Sequence, residues 1–283
     1  MTTKTANPRW SDLRLRLISA AVIVPVAVFC IAMGGVPYRI MLLLVSAGLV
    51  WEAMAMAGVS FSGAGRSWRG WLLLSWPVIG LVCAMKGDWR IALGLIPAAA
   101  LFGLAQWLGV AVASLGGLSL LWLRLPEHGA LAVLFIVAVV IASDSGAYIS
   151  GRIFGGPKLA PRISPGKTLS GALGGLVFAG LAGLLVAWCG QGAGMLGGLI
   201  WGMILGCAAQ SGDLAESAAK RRVGIKDSGK LIPGHGGLLD RLDGLLAAAP
   251  LAALVSLAVP GQVFWKATPF ALWSAFRHFI VSS

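Results

Sequence analysis

Apolar residues come in long unbroken runs along this chain, and polar residues collect between them. Nine runs fall at 17–35, 38–57, 71–86, 91–106, 107–124, 129–150, 170–189, 194–213 and 238–258. Each is continuous rather than alternating, the pattern of a helix that meets apolar surroundings on every side and not of a strand with one wet face. A bilayer's hydrocarbon is about 30 Å thick, and a backbone inside it must satisfy its own polar groups, so runs of this length predict transmembrane helices. The first run follows a basic flank, as a signal peptide would. No small-x-small cleavage site comes after it and further spans do, so it reads as a retained helix.

The expected fold is therefore all-α, a polytopic membrane helical bundle of about nine transmembrane helices. The longest connections run to about 24 residues, as at 214–237, too few for a soluble domain. Residues 1–283 read as a single integral membrane domain.

Composition agrees: 58% of residues are hydrophobic and 11% charged, against roughly a quarter charged in soluble domains, and mean hydropathy is +0.88. The net charge of +12 would suggest nucleic acid in a soluble chain. Here the positives sit in connections: Lys4, Arg9, Arg14 and Arg16 before the first run, Arg66 and Arg69 after the second, and nine more within 150–169 and 214–237. With nine spans these segments share one side, which the positive-inside rule makes the cytoplasm, and they would touch anionic headgroups of the lipid bilayer rather than nucleic acid. A bacterial cytoplasmic (inner) membrane is the expected location. The cysteines Cys30, Cys83, Cys189 and Cys207 lie in apolar runs without paired spacing, which argues against disulfide or metal roles.

Acidic residues shift the picture toward the second half. Six of ten, Asp144, Asp213, Glu216, Asp227, Asp240 and Asp243, lie beyond residue 142, so chemistry is expected within about 142–258. The eighth run carries glycine at 194, 198, 202 and 206, which bares one helix face for a neighbouring backbone; continued at helical spacing, the stripe reaches Gln210, Asp213 and Ser217. The aromatic C-terminus "FWKATPFALWSAFRHFIVSS" suits a segment at the membrane interface.

Three polar stretches could carry a reaction. In "LLDRLDG" (238–244), Asp240 and Asp243 share a helix face and repel one another unless a cation or Arg241 compensates. Oxygen ligands without a His or Cys cluster favour Mg²⁺; simple capping of a helix that enters lipid is the other reading. Lys220, Arg221, Arg222, Lys226 and Lys230, with Arg152, Lys158, Arg162 and Lys167 upstream, offer positive charge to a polyphosphate. Glycines at 229, 234, 236 and 237 let backbone amides approach an anion. "ISPGKTLSG" lacks the early glycine of a phosphate-binding loop, with Pro161 in its place, so that motif is rejected, although Lys167 and Thr168 can still offer a cation and a hydroxyl. His235 gains interest from its neighbours Asp240, Arg241 and Asp243. Glu52, inside the second run, is costly in lipid and is a weaker functional candidate.

"SAAKRRVGIKDSGKLIPGHGGLLDRLD" (217–243) closely resembles the signature of the phosphatidate cytidylyltransferase, or CDP-diacylglycerol synthase, family. Ser217, Lys220, Arg221, Lys226, Asp227, Gly229, His235, Gly236, Gly237, Asp240, Arg241 and Asp243 match it, and "DSGAYISGRIFGGPKLAPRISPGKT" upstream is similar to a second block. Ala219 and Ser170 depart from it, and Ser170 is given no role. The resemblance implies that CTP and phosphatidate react to give CDP-diacylglycerol and pyrophosphate with Mg²⁺ present. It points to Asp213 and Asp240, assisted by Asp243, as metal ligands, and the independent reason is that both lie at helix ends joined by a phosphate-suited loop. Lys167, Lys220, Arg221, Lys226, Asp227, His235 and Arg241 are then the catalytic group, and Asp144, Arg152, Ser164, Thr168, Ser217, Gly236 and Gly237 the substrate-binding one. A homodimer is an expected assembly. The alternatives are another CTP-dependent membrane lipid enzyme, such as a polyprenol kinase or an ether-lipid cytidylyltransferase, and a transporter. A CDP-alcohol phosphotransferase lacks its motif here.

Overall fold

Helices form where the apolar runs lie, and the interruptions between them follow glycine, proline and charge. A computed structural model describes residues 8–59, 68–190, 194–229, 231–232 and 236–282; Lys4, Arg66, Lys230, Gly234 and His235 lie outside them. The elements are α1 (Pro8–Met33), α2 (Gly35–Met56), α3 (Trp68–Met85), α4 (Trp89–Ala98), α5 (Leu104–Arg124), α6 (Gly129–Phe154), strands β1 (Lys158–Ala160) and β2 (Ser164–Thr168), then α7 (Leu169–Cys189), α8 (Met195–Arg222), α9 (Leu239–Ser256) and α10 (Pro269–Ser282).

Among the described residues six helices, α2, α3, α5, α6, α7 and α8, are long and apolar enough to cross a membrane, so the chain is an integral membrane protein. Two of the other expected spans differ for visible reasons. α4 has 10 residues, about 15 Å of rise, and gives way at Ala99–Phe102 to a 3₁₀ turn and then to Gly103 at φ +114°. α9 carries Asp240, Arg241 and Asp243 in its first turns, which lowers its apolarity. α1 runs Pro8–Met33, and its described apolar part is Ala21–Met33.

α6, α7, α8 and α9 form the frame of the site. Gly151 lies against Thr168 and Gly171, and Gly146 against Phe178, so α6 and α7 run antiparallel. The glycine stripe of α8 packs on α7 as expected: a Cβ on Gly198 would stand 2.6 Å from the Gly183 carbonyl oxygen, and one on Gly202 2.6 Å from that of Ala179. α9 returns along α8, with Gly212 against Asp243 and Ala247. The C-terminal end of α6, the N-terminus of α7, the C-terminal end of α8 and the N-terminus of α9 thus meet at one end of the bundle. At the other end Phe264 and Trp265 are buried, with Trp265 stacked on Phe135 at 4.6 Å.

Helices alone were the expectation, and the antiparallel pair β1–β2 adds to it. It pairs Lys158 with Thr168 and Ala160 with Ser164, and Leu169 N donates to Pro157 O at 2.9 Å to close its base. "ISPGKT" is therefore largely strand, consistent with rejecting a phosphate-binding loop.

Candidate active site

A cleft of about 510 Å³ opens at this end between α6, the hairpin, α7 and α8. Its walls include Asp144 and Arg152 of α6, Lys167 and Thr168 of the hairpin's last strand, and Gln210 and Asp213 of α8. Tyr148 and Leu159, both exposed, give one rim an apolar character.

Two lysine–aspartate pairs dominate the charge. Lys167 Nζ lies 2.5 Å from Asp213 Oδ2, while Ser217 Oγ donates to Asp213 Oδ1 at 3.4 Å. Further along α8, Lys220 Nζ sits 2.6 Å from Glu216 Oε2 and 2.6 Å from Asp240 Oδ1 of α9. Asp240 also accepts backbone bonds to Oδ2 from Ser228 N at 3.0 Å and Gly237 N at 3.1 Å. The loop that follows α8 is thereby folded back onto the start of α9.

Asp144, Asp213 and Asp243 lie near enough for their charges to bear on one another, with Lys167 opposing them and Arg241 adding its positive field at Asp144. Asp243 Oδ1 accepts from Gly244 N at 2.6 Å. Like charges this close need a cation or a positive side chain.

The structure gathers Asp144, Arg152, Lys167, Thr168, Asp213, Ser217, Lys220, Gly237, Asp240, Arg241 and Asp243 at this end of the bundle. Some have local duties as well. Thr168 caps α7, its Oγ1 accepting from Gly171 N at 3.1 Å, as a threonine at a helix start does. Arg152 donates to Tyr148 Oη at 3.0 Å. Arg221 donates to Ile163 O at 3.4 Å, tying the end of α8 to the hairpin that carries Ser164. Lys226 and Asp227 are exposed in the loop. Gly236 adopts φ +88°, where a side chain would be strained, and its carbonyl accepts from Ile232 N at 3.0 Å.

Asp213 and Asp240, expected to converge on one Mg²⁺ site, are each paired with a different lysine. Among the described residues no three His, Cys, Asp or Glu side chains form a group that could hold a metal ion. The donor chemistry still suits a hard cation: Asp144, Asp213, Asp240 and Asp243 offer only oxygen, and Mg²⁺ commonly takes one or two carboxylates and completes its shell with water and substrate phosphate.

Glu216, Gln210 and Tyr148 were not singled out from sequence as site residues. Glu216 stands four residues before Lys220 on one helix, a spacing that pairs opposite charges. Gln210 Nε2 donates to Ser143 Oγ at 3.2 Å and Ala172 O at 3.1 Å, binding α8 to α6 and α7 close to Asp213.

A cytidylyltransferase family sequence profile matches residues 14–259. The chain belongs to the cytidylyltransferase family. Among similar proteins, the phosphatidate cytidylyltransferase of Brucella suis is 36% identical over 271 residues, covering 90% of this chain and 99% of that protein. That of Brucella abortus is 38% identical over 254 residues, 86% of this chain and 93% of its own length. The phosphatidate cytidylyltransferase of Helicobacter pylori is 46% identical over 123 residues, 44% of this chain and 46% of that protein. For a cytidylyltransferase, a cleft lined by Arg152, Lys167, Asp144 and Asp213 is chemically apt, because nucleotidyl transfer brings a triphosphate to a second anion.

Proposed function

We propose that this protein is a phosphatidate cytidylyltransferase that makes CDP-diacylglycerol and pyrophosphate from CTP and phosphatidate, with its catalytic half in 142–258 and its active end facing the cytoplasm. One observation carries the reading: the Lys167–Asp213 pair lines a cleft with an apolar rim at the end of a membrane bundle, and a second lysine–aspartate pair, Lys220–Asp240, stands further along α8. A lipid can keep its chains in hydrocarbon there while its phosphate reaches a nucleotide from water.

In the reaction an oxygen of the phosphatidate phosphate forms a bond to the α-phosphorus of CTP. The bond from that phosphorus to the bridging oxygen of the β-phosphate breaks, and pyrophosphate leaves with the electron pair. No side-chain nucleophile is required. Two polyanions must approach, so the positive groups carry the catalysis. Lys167 and Lys220 exchange their carboxylate partners for phosphate oxygens, Arg152 and Arg221 add charge from α6 and the end of α8, and Lys226 reaches from the loop. Asp213 and Asp240, with Asp243 assisting, would hold the Mg²⁺ that offsets triphosphate charge once the lysines have turned to substrate. Ser217, Gly236 and Gly237 line the approach, with Asp227, His235 and Arg241 on the same loop and helix start.

Purified protein in detergent, given labelled CTP, phosphatidate and Mg²⁺, should move the label into the organic phase as CDP-diacylglycerol with one pyrophosphate per lipid. Transfer to a polyprenol or an ether-lipid phosphate in preference to phosphatidate would select the neighbouring lipid enzymes. Label remaining wholly aqueous with every acceptor would remove the reading.

A further inference from the structure

Among the described residues the first half of the chain supplies no wall of the cleft, yet it sends one carboxylate into the catalytic end. Glu52, in the last turn and a half of α2, is 2% exposed. Its Oε2 accepts from Leu239 N of α9 at 2.8 Å and from Ser228 Oγ at 3.2 Å. α9 has no side-chain cap of its own at Leu238, so its first free amide is capped from another helix, 187 residues away in sequence. A carboxylate at a helix N-terminus is favourable both as acceptor and as charge.

The same carboxylate shapes the loop backbone. A Cβ on Gly229 would collide with Glu52 Oε1, and one on Gly237 would lie 2.8 Å from Glu52 Oε2 and 2.9 Å from Asp240 Oδ2. Ser228 connects the two acids: its hydroxyl serves Glu52 and its amide serves Asp240. Gly48, one turn before Glu52, packs equally closely, since a Cβ there would stand 2.8 Å from Leu238 and 3.0 Å from Leu231. A buried carboxylate in a membrane helix is expensive unless it is bonded, and here its bonds go to the segment that presents Asp240.

Resting on the cytidylyltransferase reading above, we propose that Glu52 is a positioning residue for this reaction: it caps α9 from α2 and fixes Ser228 and Gly237, whose amides set the place of the Asp240 carboxylate. Glu52 touches neither substrate nor metal and acts through Ser228 and Leu239.

The test compares Glu52→Ala, Glu52→Gln and Ser228→Ala in the purified full chain. Hydrogen exchange is read at 226–242 and, as an internal control, at the hairpin 158–168, and the Mg²⁺ and CTP concentrations for half-maximal turnover are measured. Glu52→Ala should speed exchange at 226–242 by about tenfold or more with the hairpin unchanged, and raise half-saturating Mg²⁺ by about fivefold or more. Glu52→Gln keeps an acceptor oxygen in place and should restore both to within about threefold of the parent. Ser228→Ala removes one of the two donors and should shift both in the same direction by about threefold, which reads the proposal even if Glu52→Ala does not insert. Unchanged exchange and Mg²⁺ dependence in Glu52→Ala or Ser228→Ala overturns the proposal. So does a general loss of stability with parental Mg²⁺ and CTP dependence in the folded fraction. Parent protein that makes no CDP-lipid counts against the function, while the exchange measurement still tests the cap.

Discussion

Replacing Lys220 with methionine removes one ammonium from between two carboxylates. At an effective dielectric near 20, a unit pair 2.6 Å apart attracts by about 6 kcal/mol before desolvation is counted. The side chains of Lys220, Glu216 and Asp240 are only 12%, 8% and 13% exposed, so water cannot readily take over the vacated role. Breaking such a pair by deleting one partner costs about 3–5 kcal/mol, because a buried charge is left without compensation. The two carboxylates will not share that cost equally. Asp240 keeps its bonds from Ser228 N and Gly237 N, whereas Glu216 has no other hydrogen-bond donor among the described residues. Adding Glu216→Gln to Lys220→Met should therefore recover at least half of the lost stability, and adding Asp240→Asn should recover less. Thermal unfolding of the four proteins in one detergent measures this. Turnover should stay low in both double variants, since the lysine proposed to meet phosphate is still missing, and stability and catalysis thereby separate. A Lys220→Met protein as stable as the parent, or a Glu216→Gln change that adds to the loss, would refute the reasoning.

Lys167→Met should insert normally and lose roughly 30- to 1000-fold in turnover, the equivalent of about 2–4 kcal/mol of transition-state stabilisation, measured by CDP-lipid formation. Asp213→Asn and Asp240→Asn should each abolish turnover while expression persists, and excess Mg²⁺ should rescue Asp243→Asn better than either; activity in both with unchanged Mg²⁺ dependence would end the metal assignment. Gly202→Val places side-chain atoms where a Cβ alone would meet Ala179 O at 2.6 Å, and should lower the unfolding free energy by about 1–3 kcal/mol or more, read as a reduced unfolding midpoint. Cysteines at Arg162 and Val223, both exposed, should react with an impermeant thiol reagent only from the cytoplasmic side in a cysteine-free background, and labelling from outside would reverse the orientation.

The helices were legible because a continuous apolar run of roughly 20 residues matches the thickness of a bilayer and little else in a folded chain, and the glycine stripe of α8 declared a packing face before any partner was known. Charge is scarce enough here that Lys167, Asp213, Lys220 and Asp240 stand out in the sequence, and the fold brings them to one end of the bundle. Their partners were not legible. Lys167 meets Asp213 from the hairpin across to α8, and Asp240 is held by Lys220 and by two amides of a loop, arrangements that depend on where the elements cross. The hairpin was hidden because strands of three and five residues, the second containing proline and glycine, leave no period to detect. α4 read as a span because hydropathy does not register the break at Gly103. Glu52 was visible only as an anomaly: the donors to its carboxylate, Ser228 and Leu239, lie 176 and 187 residues downstream, and no local spacing announces such a pairing.

At Gly183, Gly198 and Gly202 the contact of α7 with α8 sets glycine against a main-chain carbonyl, and this has a mechanical consequence. Side chains let packed helices slide by exchanging rotamers, but glycine set against a carbonyl has no rotamer to exchange. α8 can neither roll nor ratchet along α7 without driving backbone atoms together, so Asp213 and Lys220 stand on a fixed jaw. Whatever must yield as a two-tailed lipid and a triphosphate enter and a longer headgroup departs has to be found opposite, in the short hairpin and in the turn that Ser228 fastens. Turnover would then be paced by how readily those two small pieces let go.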